Sequence, residues 1–158
     1  MAYADTEFYK TKYYGDTVPD KSLEKYLEKA SDRIDNITFD RLVDGLPDNE
    51  RAQTKVKKAV CAVADCLYQI DEVKKASMAT VGTVTREDGT MTGKMVSSVS
   101  SGSESISYVT GISGNSEDIY SQAAMDKKVE NVLLWQVATE YLANVGDKKG
   151  INLLSARI

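Results

Sequence analysis

The chain has 158 residues, of which 42% are hydrophobic and 28% are charged, and its formal net charge is −4. It contains no histidine and only two cysteines, which excludes Ser-His-Asp and Cys-His catalysis, histidine-ligated zinc and four-cysteine metal sites. The acidic balance opposes a surface that binds nucleic-acid phosphates through counterion release. We therefore expect one soluble globular domain that is not a hydrolase, with no membrane-spanning segment and no signal peptide. Because the sequence also lacks catalytic and cofactor motifs, we expect a protein that is not an enzyme and carries no cofactor or metal.

The first 19 residues are rich in aromatic side chains, and Gly15 and Pro19 interrupt them. This pattern predicts a short helix or turn followed by a loop. We expect the aromatics to pack this segment onto the body of the protein, and a surface patch for a partner is the alternative. The aromatic residues are Tyr3, Phe8, Tyr9, Tyr13 and Tyr14.

Two amphipathic helices are predicted next. The first spans residues 20–37, with Asp20 as its N-cap. Further apolar residues, Phe39, Leu42 and Val43, follow it. The second spans residues 47–77, with Pro47 in its first turn. A stripe of apolar residues runs along the second helix: Ala52, Val56, Ala59, Val60, Val63, Leu67 and Ile70.

The second helix is apolar on more than one face, because Ala62, Ala64 and Cys66 lie outside this stripe. Such a helix is either buried centrally or meets a neighbouring subunit. Cys61 and Cys66 lie too far apart around the helix to form a local disulfide or to bind a metal together, so we interpret them as small buried hydrophobes. We interpret the lysines of this helix as a solvated face.

The composition changes between residues 79 and 114. Six of the ten glycines lie there, and seven of the eleven residues from Ser97 to Ser107 are serine. Short β-type stretches alternate with glycines, and Asp88-Gly89 is typical of a hairpin turn. We predict a long β-hairpin or loop inserted between the second and third main helices, and a Gly/Ser linker is the alternative.

A third helical region is predicted from Asn115 or Ser116 to about Asn144, with or without a break at Asp126. One face would carry Val129, Val132, Leu133, Gln136, Val137 and Tyr141, with Trp135 and Leu142 towards another. Gly146 would stop the helix. Residues 146–158 then form an apolar tail, which must dock on the body or on another chain.

No phosphate-binding loop or dinucleotide motif is present in the sequence. Asp32, Asp35, Asp40 and Asp44 could together bind a hard cation, although an ordinary acidic surface is the stronger interpretation. An enzyme that depends on Mg²⁺ and on Asp35 is a remote alternative. Arg51, Lys55, Lys57 and Lys58 form the basic cluster that a nucleic-acid binder would use.

Several of these segments resemble head–tail connector (head-completion adaptor) proteins of tailed bacteriophages. The N-terminal residues Tyr3-Ala4, Tyr9, Tyr14-Gly15 and Val18-Pro19 are similar to the opening of that family. The run from Ala30 to Thr38, with Arg41-Leu42, resembles its first-helix signature. A long helix with Ala59-Val60-Cys61 near its start, and a Ser/Gly-rich segment that closes on Ile106-Ser107-Tyr108, also resemble it. The long serine-rich insert and the Asn152-Leu153-Leu154 ending depart from the family pattern.

The resemblance implies a structural role without chemistry. Connector proteins of this type form a ring, usually of about twelve subunits, beneath the portal protein. The ring extends the DNA channel and joins the head to the next neck or tail protein. For this chain the resemblance implies location in the virion neck, assembly in the host cytoplasm, and passage of DNA without sequence-specific binding.

We therefore predict a mainly α protein that forms a single connector domain. It would consist of a helical body (1–78 and 115–145), an extended insert (79–114) and a C-terminal tail (146–158). We expect the insert to contact a neighbouring subunit or the next ring, and the tail to reach the portal side. The candidate interface residues are Ile106, Tyr108, Val109, Ile151, Leu153, Leu154 and Ile158.

Two other functions stay open at this point. The chain could be a tail-completion protein or another ring component of a virion, which would share its size and its mode of assembly. It could instead be a small cytoplasmic helical regulator or nucleic-acid-binding module that uses the basic cluster.

Overall fold

The computed structural model describes residues 2–85, 91–99, 106–108 and 119–156, with side chains for 2–78 and 119–156. Helices make up most of these residues, which confirms the predicted mainly α fold. Among the described residues, no helix combines the length and the apolar character needed to cross a membrane. The helices are α1 (Thr6–Phe8), which continues into a π-helical turn (Tyr9–Tyr13), α2 (Asp20–Ile37), α3 (Glu50–Thr80), α4 (Ile119–Met125) and α5 (Lys127–Leu142).

Helix α2 has the predicted bounds, Asp20–Ile37, but its start differs in detail. Pro19 occupies the N-cap position and no side chain caps the helix, so the prediction of Asp20 as N-cap is wrong. Asp20 lies in the first turn instead, where its charge favours the helix dipole. At the other end Phe39 and Asp40 adopt positive φ angles of 54° and 57°, which stop the helix.

Helix α3 begins at Glu50 because the Asn49 side chain caps it. The Asn49 Oδ1 atom accepts hydrogen bonds from the backbone N–H groups of Arg51 and Ala52, at 2.9 and 3.2 Å. Pro47 therefore lies before the helix, and its predicted place in the first turn is wrong.

The predicted apolar stripe of α3 is buried from Val56 to Ile70, and Ala62, Ala64 and Cys66 on its other faces are buried too. Helices α2, α4 and α5 and the π-helical turn all contact α3. Of the two interpretations left open by the sequence, central burial therefore accounts for the apolar faces of α3. A neighbouring subunit is not needed to cover them.

The third helical region is broken at Asp126, whose extended backbone and capping side chain start α5 anew. The predicted starts at Asn115 and Ser116 lie outside the described residues. The buried face of α5 consists of Glu130, Leu134, Ala138 and Leu142, spaced four residues apart. The predicted face was therefore wrong in part, because Val132 is exposed and Leu142 is buried. Helical periodicity does not predict which face of α5 is buried, since the helix carries apolar residues on both sides.

Three backbone strands are described in the segment between α3 and α4: β1 (Val81–Thr85), β2 (Met91–Val99) and β3 (Ile106–Tyr108). They pair antiparallel in the order β1-β2-β3, with Val81 opposite Met95 and Val96 opposite Tyr108. The predicted turn at Asp88-Gly89 and residues 100–105 and 109–118 lie outside the described residues. The predicted insertion as a unit therefore stays a prediction.

The aromatic N-terminal segment packs onto the helical body, as predicted, but the prediction is wrong for Tyr14, whose side chain is exposed. Tyr9 is 1% exposed, and its hydroxyl donates to Asp65 of α3 and accepts from the backbone N–H of Val18. The Tyr13 hydroxyl donates to the other Asp65 oxygen at 3.0 Å. A Cβ atom at Gly15 would lie 2.2 Å from Cζ of Tyr9, so the chain can turn past this ring only with glycine there.

Two further tyrosines donate to carboxylates in the same way. The Tyr3 hydroxyl donates to Asp35 at 2.6 Å, and the Tyr3 backbone N–H donates to the Ser31 hydroxyl at 3.0 Å. The Tyr26 hydroxyl of α2 donates to Asp71 of α3 at 2.9 Å. These bonds join residues that are far apart in the sequence, and they orient the N-terminal segment and α2 on the body.

The C-terminal segment folds back onto its own chain. A β-bridge joins Gly146 to Asn152, and the backbone N–H of Leu153 donates to the carbonyl of Val145 at 2.9 Å. Leu153 is fully buried in the core, whereas Ile151 is 43% exposed. The tail therefore contributes to the core of the monomer through Leu153, which the sequence had left open between the body and another chain.

Leu153→Ala should destabilise the fold by about 2–5 kcal/mol, because it removes buried methyl groups and leaves a cavity. Ile151→Ala is the matched control and should change stability by less than about 1 kcal/mol. Urea denaturation followed by circular dichroism measures both. Equal effects of the two substitutions would contradict the docking of Leu153.

Tyr9→Phe should cost about 1–3 kcal/mol, since it removes one donor to a carboxylate and leaves the Val18 N–H without its acceptor. Hydrogen exchange should show faster exchange in residues 2–18. Tyr14→Phe is the control, because Tyr14 is 80% exposed and should be neutral. Unchanged exchange in Tyr9→Phe would mean that the hydroxyl does not hold the segment.

Candidate functional site

The structure does not gather the predicted interface residues into one surface. Leu153 is buried in the core of its own chain and Leu154 is half-buried, so Ile151 is the exposed one among the predicted interface residues of the tail whose side chains are described. Ile106 and Tyr108 lie on strand β3, and their side chains are outside the described residues. Val109 and Ile158 also lie outside the described residues.

Arg41 holds the C-terminal segment in place. Its guanidinium donates to the backbone carbonyls of Ser155 and Ala156 at 2.9 and 3.2 Å, and lies 3.4 Å from Asp147. The pKa of Asp147 is lowered, mainly because the backbone N–H of Ile151 donates a hydrogen bond to its carboxylate. The backbone N–H of Lys149 and the Arg41 guanidinium lower this pKa further. Arg41 of the Arg41-Leu42 motif therefore stabilises the fold of the monomer by binding the tail.

Two neighbouring apolar side chains are exposed on the outward face of α5. Val132 is 55% exposed and Trp135 is 50% exposed, one helical turn apart. Exposed Lys128 and half-buried Thr139 extend the strip at spacings of four, three and four residues. We call Lys128, Val132, Trp135 and Thr139 the α5 strip. Its spacing is that of a seam against another helix or groove.

A concave surface of about 400 Å³ lies between α3 and α4. We call it the α3/α4 groove, and its lining residues are Tyr68, Gln69, Glu72, Val73 and Tyr120. The Tyr68 ring packs edge-on against Tyr26, with 5.4 Å between the ring centroids. Among the residues that the structure describes, none donates a hydrogen bond to the buried Gln69 Oε1 atom. The groove itself therefore combines aromatic walls and one carboxylate.

A buried carboxylate, Glu130 of α5, joins three helices. It is 3% exposed and pairs with Arg33 of α2 at 3.4 Å, Lys74 of α3 at 3.1 Å and Lys127 of its own helix. Burial alone would raise the pKa of Glu130, but the hydrogen bonds from Lys127 and Lys74 outweigh it and hold the pKa below its usual value. Glu130 has a structural role in this arrangement, because its carboxylate oxygens are paired with these three side-chain cations.

Asp65 of α3 is the contrasting case. Burial raises its pKa, and the hydrogen bonds from Tyr9 and Tyr13 offset only part of that rise.

The two cysteines are buried and free, which confirms their interpretation as small hydrophobes. Burial raises the pKa of both thiols to about 12, so they are protonated at neutral pH.

The predicted aspartate cluster does not form a metal site in the described residues. Asp35 is held by Tyr3, and burial raises its pKa. Within residues 2–78 and 119–156, no three His, Cys, Asp or Glu side chains converge as metal ligands would.

The predicted basic cluster is divided between two environments. Arg51 and Lys55 line a cleft of about 610 Å³ beside the start of α3, together with Asp48, Asp147 and Lys148. The Lys57 ammonium lies over the Phe8 ring, 5.4 Å from its centroid. The cleft therefore carries both signs of charge and lacks the continuous basic surface typical of nucleic-acid binding.

Sequence reasoning missed Glu130, and it placed Trp135 on a second face without assigning it a role. A signal for Glu130 is present, because it stands four residues before Leu134 in the series that ends with Ala138 and Leu142. A lone carboxylate in such a series is buried only if cations reach it. Those cations come from α2 and α3 as well as α5, so the sequence of α5 alone does not show them all.

No family model, no curated protein and no solved structure matches this chain.

Glu130→Gln should lower stability by about 1–3 kcal/mol at pH 7, because it leaves three cations without their carboxylate. The lowered pKa means that Glu130 contributes stability above its unfolded-state pKa and loses it as the pH falls through the folded-state pKa. The difference between wild type and variant should therefore shrink below about pH 4. Urea titrations at pH 3 to 7 measure it, and a difference that does not depend on pH would contradict this role.

Proposed function

We propose that the chain is a structural protein of the virion neck, a head-completion adaptor of a tailed bacteriophage. It assembles into a ring beneath the portal protein, extends the DNA channel and joins the head to the next neck or tail protein. The resemblance in the segments 3–19 and 30–42 supports this proposal. In the structure, the same segments position the N-terminal aromatics and bind the C-terminal tail.

The observation that carries the proposal is the second apolar face of α5. One face, from Leu134 to Leu142, is buried in the core, while Val132 and Trp135 on the other remain uncovered. Trp135 is the single tryptophan of the chain. Tryptophan is among the residues most enriched at the energetic centres of protein interfaces. An exposed tryptophan beside a valine on a rigid helix is typical of a protein that works by assembly.

The remaining features of the proposal follow from this role. In this proposal the segment 79–114 contacts a neighbouring subunit or the next ring. The exposed Ile151 on the docked tail faces the portal side. The net charge of −4 limits attraction to DNA phosphates, which suits a channel through which DNA slides. As the resemblance implies, DNA passes the ring without sequence-specific binding. The work is mechanical, with no catalytic step or cofactor, and the ring assembles in the host cytoplasm.

Light scattering coupled to size exclusion, on the chain alone and mixed with the portal protein, tests the proposal. We expect a ring, or binding to the portal assembly. Trp135→Ser should weaken assembly by about 30-fold or more, the loss typical of an interface hot spot of about 2 kcal/mol.

Met78→Ser is the control for this experiment, because Met78 is another exposed apolar residue, at 77%, outside the α5 strip. It should assemble like the wild type. A chain that stays monomeric at high concentration and also fails to bind the portal protein would refute the proposed function.

A further inference from the structure

We propose that the α5 strip of one copy docks into the α3/α4 groove of a second copy of this chain. The inference rests on the proposed ring assembly and names the contact that forms it. No residue of the strip lines the groove, so the two are separate surfaces of one chain. A contact between two different surfaces is head-to-tail, and such contacts repeat around a ring when the rotation between copies closes.

The two surfaces match in apolar and aromatic character. The strip exposes Trp135 and Val132 on a helix that is packed against the core. The groove is shallow and open, about 400 Å³ in volume, and Tyr68 and Tyr120 line it. Aromatic side chains favour offset and edge-to-face contacts with one another, which gives an indole ring a suitable site between two tyrosines.

The charges at the edges of the two surfaces are complementary. Lys128 lies at one end of the strip, and in the part of the chain that the structure describes its ammonium has no carboxylate partner. Glu72 lies in the groove and pairs with Lys75 at 2.7 Å, with both side chains well exposed. Such exposed pairs are weak, so the Glu72 carboxylate is available to a second cation.

A charge-swap experiment tests the contact. Lys128→Glu places a carboxylate against Glu72 of the neighbour, and Glu72→Lys places a cation against Lys128. We expect each variant alone to self-associate at least tenfold more weakly than the wild type, since like charges that face each other oppose binding. An equimolar mixture should recover assembly to within about threefold of wild type, because both contacts of an alternating ring then pair opposite charges.

Lys12→Glu is the matched control, a charge reversal at an exposed residue outside both surfaces, and should assemble like the wild type. Because Trp135 is the single tryptophan, its fluorescence emission reports on the contact directly. The emission should shift to shorter wavelength as wild-type chain associates. The shift should be lost in each single variant and return in the mixture.

The failure of this contact can be distinguished from the failure of the proposed function. If wild-type chain assembles but the mixture stays as weak as its components, the strip-to-groove contact is wrong while the ring stands. If Glu72→Lys assembles like the wild type, Glu72 is not part of the contact, and the strip-to-groove contact is likewise wrong; pairing of two α5 strips would give this result. If wild-type chain assembles neither alone nor with the portal protein, both proposals are refuted.

Discussion

A run of small side chains along α3 sets how closely the other helices can approach one another. Ala59, Ala64 and the two cysteines are almost fully buried, and α2, α4, α5 and the π-helical turn all contact this helix. Protein interiors are packed to crystal-like density, so the volume of each α3 side chain limits the distance to its neighbours. The positions of α2 and α5, and of the groove between α3 and α4, all depend on this central helix.

Close packing around α3 buries one carboxylate, Glu130, and half-buries another, Asp65, and the protein pairs them in two ways. Asp65 is bound by the neutral hydroxyls of Tyr9 and Tyr13, and its pKa is raised because burial outweighs these bonds. Glu130 is bound by three cations, and its pKa is lowered. A buried carboxylate without partners would be costly, so each one requires its partner segment in a defined place. Asp65 orients the N-terminal segment in this way, and Glu130 orients α2 and α5 against α3.

Once these groups are paired, the monomer covers the apolar faces of α3 between Val56 and Leu67 but leaves Val132 and Trp135 of α5 exposed. Helix α5 therefore contributes one face to the core, and its other face carries the α5 strip that the proposed assembly would use. The C-terminal tail likewise has one buried and one exposed apolar side chain, Leu153 and Ile151. Hydrogen bonds from Arg41 hold the tail against the body. The described residues therefore form a self-contained core that leaves a few apolar side chains exposed on α5 and on the tail.

The sequence by itself determined the mainly α class, both ends of α2 and the apolar stripe of α3, because helical periodicity and local backbone preferences act over a few residues. It also determined that histidine chemistry is absent, since that is a matter of composition. The tertiary structure decided which face of α5 is buried, that Leu153 docks on its own chain, and that Glu130 and Asp65 have partners. Those outcomes depend on side chains that are distant in the sequence, such as Arg33 and Lys74 around Glu130. A helix with two apolar faces does not specify which one is covered, and only the packing of α5 against α3 resolves that choice.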